Sequence, residues 1–238
     1  MLSCIPEPNE EDIALRTVRI PMNASDRIKF FSVFWPGIIL IVSIYVGLTV
    51  FRDLRDNFAV ELWTELGYLS TPWILIFAEI PTAIIVLVII GSMILVKNNK
   101  KAFYTSISLC ILAGICFLIC TYLFDLKYMN PVYWMIFMGL CMYLPYLLFH
   151  TILFERWLAF FKYKGNLGYL MYISDSVGYF GSVLVLLYKN YGTRGFTWLP
   201  FFTSVTYIIG IGIVVLGIAS IFYFRRKEIG SGHVVRQV

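Results

Sequence analysis

The chain has 238 residues, of which 60% are hydrophobic, 18% aromatic and only 14% charged, where soluble domains carry about a quarter of their residues as charges. That composition excludes an ordinary soluble enzyme or binding module and indicates one membrane domain of several helices. The net charge of +5 is small and sits in particular loops, so it sets topology and does not make a nucleic-acid surface.

Residues 1–28 are polar, mix acids with bases and contain Pro6, Pro8 and Pro21. They lack an apolar core beside a cleavage site, so no removable signal is expected. The segment reads as a cytoplasmic linker joining two parts. Residues 29–226 then supply six apolar runs, each near the roughly 20 residues that a helix needs to cross the hydrocarbon core. The first expected span is Phe30–Phe51, continuing helically to about Leu66. The second is Pro72–Val96, with a proline at the helix start, where its missing N–H costs nothing. Phe103–Leu123 is the third. The fourth runs Pro131–Phe149 and continues through "HTILFERWLAFF". Leu167–Tyr188 and Leu199–Phe224 complete the set. No ten-residue stretch alternates polar with apolar, so the fold class is an all-α membrane protein and not a β-barrel. Residues 227–238 read as a disordered cytoplasmic tail.

Lys and Arg orient the bundle. Fourteen of the 19 fall on one side, among them Arg27, Lys29, Lys100, Lys101, Lys162, Lys164, Arg225 and Arg236. The other side holds Arg52, Arg55, Lys127, Lys189 and Arg194, so both termini are expected in the cytoplasm. Trp63, Trp73, Trp134 and Trp198 fall near the opposite face, as an aromatic belt would. Of the five cysteines, Cys116 and Cys120 share a helix face, yet the sequence puts no His or further Cys beside them. No metal or other cofactor is expected.

An ionised side chain at the bilayer centre costs about 2.5–3.5 kcal/mol on insertion scales, so ionisable residues inside spans are functional candidates. "VFRDLRDNFAVELW" places Arg52, Asp53, Arg55 and Asp56 at the far end of the first span. At 100° per residue Leu54, Phe58 and Leu62 form one stripe, while Arg52, Asp53, Asp56 and Asn57 cover the opposite arc. Two readings stay open: a solvated helix beyond the bilayer, or a tilted span whose arginines line a water-filled cavity. Glu79 lies inside the second span, two residues before Pro81. It is a coupling group, or a carboxyl near the interface paired with Arg52 or Arg55. Asp175, in "YLMYISDSVGYFGS", is a protonatable group facing a cavity, or a packing-seam residue satisfied by a neighbour such as Arg156. His150 is a lesser coupling candidate. Glu155 and Arg156 are expected to form a cytoplasmic latch. No nucleophile–base pair appears, so no enzyme is indicated.

The stretches "LTVFRDLRDNFAVELWTELGY" and "YLLFHTILFERWLAFFKYKGNLGYLMYISDSVGYFGSVLVLLYKNYG", with "PEPNEEDIALRTVRIPMNASDR", resemble an uncharacterised bacterial membrane-protein family. That family is known only as a domain of unknown function and looks related to the major facilitator superfamily. The resemblance implies the second six-span half of a twelve-span transporter, with a solute site between halves near the midplane. It also implies the bacterial inner membrane, and a partner half supplied by a separate chain or a second copy. Organophosphate antiporters of that superfamily carry an arginine in the first span of each half. By that similarity Arg52 and Arg55 would bind a small anionic solute, with Asp53, Asp56 and Asn57 tuning or gating them. "GSMILVKNNKKAF" keeps Gly91 and the basic run of the superfamily loop motif but lacks its Asp and later Gly. The alternative function is a non-transporting membrane scaffold or assembly subunit.

Overall fold

The computed structural model describes residues 22–68, 73–163, 165–191 and 197–234. The linker-like residues before Met22, the last four residues, Lys164 and Arg194 lie outside them. The described residues are mostly helical, with no strand among them. α1 is Ala24–Asn57 and α2 Ala59–Glu65; α3 is Trp73–Ser92, ending in a tighter turn over Met93–Leu95. α4 is Asn99–Asp125. α5, Pro131–Leu148, passes through a π turn at Phe149–Leu153 into α6, Phe154–Phe160. α7 is Leu167–Tyr191 and α8 Trp198–Val234. Six of these stretches are long and apolar enough to cross a membrane, in the order expected from the hydropathy.

The boundaries have local causes. Asn98 and Asn130 cap α4 and α5, their side chains accepting the backbone N–H of Lys101 (3.1 Å) and Val132 (2.9 Å). Each satisfies a donor that the first turn leaves orphaned. Pro131 follows at the first helical position. α1 breaks at Phe58, so the expected continuation to Leu66 is a separate short helix. Gly67 adopts φ +90° beyond it, which glycine allows without a Cβ penalty. The Glu65 carboxylate then accepts the N–H groups of Trp198 and Leu199, both at 2.7 Å, and ties α2 to the start of α8.

α1 and the α5–α6 rod are the most enclosed helices. α4 and α8 pack against each other and cover one side of that pair, while α3 packs on α5 and α7 on α1 along the other. Close approach of α4 and α8 needs small residues. A Cβ on Gly114 would sit 3.0 Å from Ile213 and Val214, and one on Gly210 would sit 2.9 Å from Leu118.

α1 begins and α8 ends at one end of the bundle, hereafter the terminal end. There Phe30, Phe34, Phe103, Trp157 and Phe224 are buried in a web of edge-to-face contacts. Lys227 Nζ donates to the Val33 carbonyl and Lys100 pairs with Glu228. These contacts carry α8 onward, so the tail expected to be disordered from residue 227 is helical through Val234.

The four tryptophans expected near the opposite face differ in exposure. Trp73 is 77% exposed, as a belt residue is, but Trp134 is fully buried, stacked on Phe124 at 4.0 Å with its indole N–H donating to Thr121. Trp63 is likewise buried against Tyr68. A tryptophan with a polar partner for its N–H serves a core as readily as an interface.

Candidate functional site

The side of α1 and α5 left uncovered by α4 and α8, with α3 and α7 as its walls, carries two linked polar clusters. Leu54, Phe58 and Leu62 are buried, as the stripe reading requires. The charges, however, do not share one environment.

Arg55 is only 3% exposed. One terminal nitrogen, Nη2, lies 2.5 Å from Glu79 Oε1 and donates to the Met135 carbonyl at 3.4 Å; Nη1 is 3.6 Å from Asp56 Oδ1. The Tyr143 hydroxyl donates to Asp56 at 2.9 Å, and its ring lies under the guanidinium at 5.8 Å. Glu79 and Asp56 keep nearly half of their side-chain surface open, at 45% and 44%. Glu79 stands six residues into α3, so this knot lies about 9 Å below the start of that helix. Arg55 is therefore buried against α3 and α5, while Asp56 and Asn57 beside it stay exposed. The neighbouring helix makes room for it: a Cβ on Gly139 would come within 3.0 Å of Arg55 Nη2 and 3.2 Å of Thr82.

Arg52 is held differently. Its Nε and Nη2 both donate to Asp53 Oδ1, at 2.9 and 2.8 Å, while its plane sits over Tyr146 at 4.6 Å and near Tyr179 at 5.9 Å. Side chains lean toward the start of their helix, so Arg52 reaches back toward the middle of α1. There it adjoins the second cluster. Tyr45, fully buried, donates its hydroxyl to Asp175 of α7 and shares a 2.7 Å hydrogen bond with His150 Nε2. His150 and Asp175 are 3.7 Å apart. Tyr146 stacks on Tyr45 at 5.5 Å and meets the His150 ring edge-on at 5.0 Å. Ten residues of α1, about 15 Å, separate Tyr45 from Arg55, with Arg52 between them.

Two sequence features bring α5 and α7 to this point. Pro145 removes a backbone donor, and the π turn that follows holds His150; such turns rotate the side chains after them and recur at sites. On α7, Gly178 faces Thr49: a Cβ there would lie 3.1 Å from Thr49 Oγ1. Glycine at this crossing lets the helix carrying Asp175 close on α1. Ser174 is buried beside it with no hydrogen-bond partner for its hydroxyl.

The chain matches the family of unknown function DUF5690 over residues 1–227. It belongs to that family. No curated protein and no solved structure matches it, and the match by itself establishes no relation to a transporter superfamily.

For this DUF5690 chain, the structure brings together Arg55, Asp56 and Glu79 in one knot, Arg52 and Asp53 in a second pair, and His150 and Asp175 in a third group. Asn57 is exposed at the end of α1. Three expectations change. Arg55 already has two carboxylates and a carbonyl as partners. Asp175 takes Tyr45 and His150 as partners, not Arg156. Among the described residues Glu155 and Arg156 make no ion pair: Glu155 is exposed, and Arg156 Nη1 donates to Asn99 Oδ1 at 2.6 Å at the start of α4. Adjacent positions on a helix point about 100° apart, so these two face different surroundings. The sulfurs of Cys116 and Cys120 are 3.6 Å apart, and α5 brings Cys141 beside them. Among the described residues no group of three or more His, Cys, Asp or Glu is arranged to hold a metal ion. Reading by residue type missed Tyr45, Tyr143 and Tyr146, because a tyrosine in an aromatic-rich span is indistinguishable there from a packing residue. The spacing of Tyr143 and Tyr146 on α5, with His150 four residues after Tyr146, was the available signal; nothing comparable marked Tyr45 on α1.

Proposed function

We propose that this chain is one six-span half of a major-facilitator-like secondary transporter, and not an enzyme, moving a small solute that bears a carboxylate or phosphate together with protons. The observation that carries the reading is the polar groove on α1, α3, α5 and α7, set at span depth in an otherwise apolar bundle. Half-open carboxylates at that depth are costly against lipid, so Asp56 and Glu79 call for water and a covering surface. A second six-span bundle, a separate chain or another copy, would close the groove into a central cavity.

Within it Arg52 is the anion ligand. Asp53 engages Nε and Nη2 and the Tyr179 hydroxyl lies within hydrogen-bonding reach, so an acid group of the solute takes the place of one of these partners on a guanidinium whose plane the Tyr146 ring fixes. Arg55 is the structural counterpart that holds α1 to α3 and α5. The charge balance then dictates coupling. Two arginines face Asp53, Asp56, Glu79 and Asp175, so the groove is net negative and would repel an anion arriving alone. Uptake of protons on the Asp175–His150–Tyr45 group offsets that charge. Its three members come from three helices, so a proton there also changes how α1, α5 and α7 hold together.

The test uses membrane vesicles from the cells that produce the chain, so that any covering bundle is present. Uptake of a panel of labelled carboxylates and phosphate esters is measured with and without an imposed proton gradient. Arg52→Ala should abolish the gradient-driven component that overproduction adds, and Arg52→Lys should keep part of it. If overproduction adds no uptake, or Arg52→Ala leaves it unchanged, the carrier reading fails and the scaffold reading takes its place.

A further inference from the structure

On the side of the bundle away from the groove, the start of α4 and the end of α8 leave a hollow at the terminal end. Lys100, Lys101 and Arg225 stand at its mouth with Glu228. Glu228 is engaged by Lys100, while Arg225 lies over the Tyr104 ring at 6.0 Å. The mouth is therefore net positive, with Lys101 exposed and outside any ion pair among the described residues. Below it Thr105 and Ser108 line the wall before it turns apolar at Leu109 and Leu112, the latter 61% exposed. Exposed Ile115 and Ile119 continue the same helix toward the far end.

The dimensions decide what fits. Eleven residues separate Lys101 from Leu112, about 16 Å of helix. One leaflet of hydrocarbon is about 15 Å, half of a 30 Å core. A free phosphate would use the mouth and leave the wall empty. A phospholipid would use both, with its phosphate between Lys101 and Arg225 and an acyl chain along Leu109 and Leu112. We propose that the α4–α8 hollow at the terminal end binds an anionic diacyl phospholipid. The site is independent of solute transport, since none of its residues belongs to the groove. Its physical basis is that of basic pockets between spanning helices, which bind acidic headgroups.

The experiment measures lipid binding to the purified full chain in neutral detergent, by native mass spectrometry and by the shift in unfolding temperature. Phosphatidylglycerol should be retained and should stabilise, phosphatidylcholine of the same chains far less, and inorganic phosphate at equal concentration not at all. Each basic residue at an anionic surface contributes about five-fold in affinity, so Lys101→Ala with Arg225→Ala should weaken phosphatidylglycerol binding roughly thirty-fold. The charge-preserving pair Lys101→Arg with Arg225→Lys should retain it and controls for folding. Equal response to both lipids, an equal response to phosphate, or undiminished phosphatidylglycerol binding in the double alanine variant overturns the proposal.

Discussion

Replacing Glu79 with alanine removes the closest of the partners that hold Arg55. What remains is Asp56 at 3.6 Å and the Met135 carbonyl at 3.4 Å, around a guanidinium that is 3% exposed and whose Nε already lacks a partner. Breaking a fully buried pair costs about 3–5 kcal/mol, and an exposed pair is worth about 0–1 kcal/mol. Here one member is buried and the other 45% open, which places Glu79→Ala near 2–3 kcal/mol. Arg55→Met in the wild-type background should cost about as much, because it strands two carboxylates at depth. The two changes together should cost clearly less than their sum, with a coupling of about 1.5–2 kcal/mol, since the double variant leaves no buried unpaired arginine. Reversible unfolding in mixed micelles, followed by far-ultraviolet circular dichroism across titrated denaturing detergent, gives all four corners of the cycle. A coupling below about 0.5 kcal/mol would falsify the buried-knot account and return residues 52–57 to a solvated surface helix.

Gly114→Leu should force α4 from α8 and cost about 1–3 kcal/mol by overpacking, read as a lowered unfolding temperature; Gly212→Ala, on α8 where a Cβ meets nothing within 4 Å, should be near neutral. Tyr45→Phe removes the hydroxyl shared by Asp175 and His150 and should shift the pH at which gradient-driven uptake is half-maximal, without changing uptake of a lipophilic tracer. Tyr143→Phe removes one hydrogen bond to Asp56 and should cost about 1 kcal/mol in the same detergent titration. An effect above about 3 kcal/mol there would mean that Tyr143 does more than brace that carboxylate.

Six apolar helices long enough to span, their order and the helical class of the described residues were legible from hydropathy alone. The reason is that lipid offers no hydrogen bonds, so each apolar run must satisfy its own backbone as a helix. Arg52, Asp56, Glu79, His150 and Asp175 also stood out, because each is costly in an apolar span wherever its helix packs. Which of them meet was decided only by tertiary structure. Arg52 and Arg55 lie three residues apart on one helix, yet one is gripped by Asp53 and aromatic faces and the other is buried against α3 and α5. That difference comes from Gly139, which leaves room for Arg55, and from the depth at which α3 presents Glu79. Neither leaves a trace in composition or periodicity, because a glycine or a carboxylate gains its meaning only from the helix placed opposite.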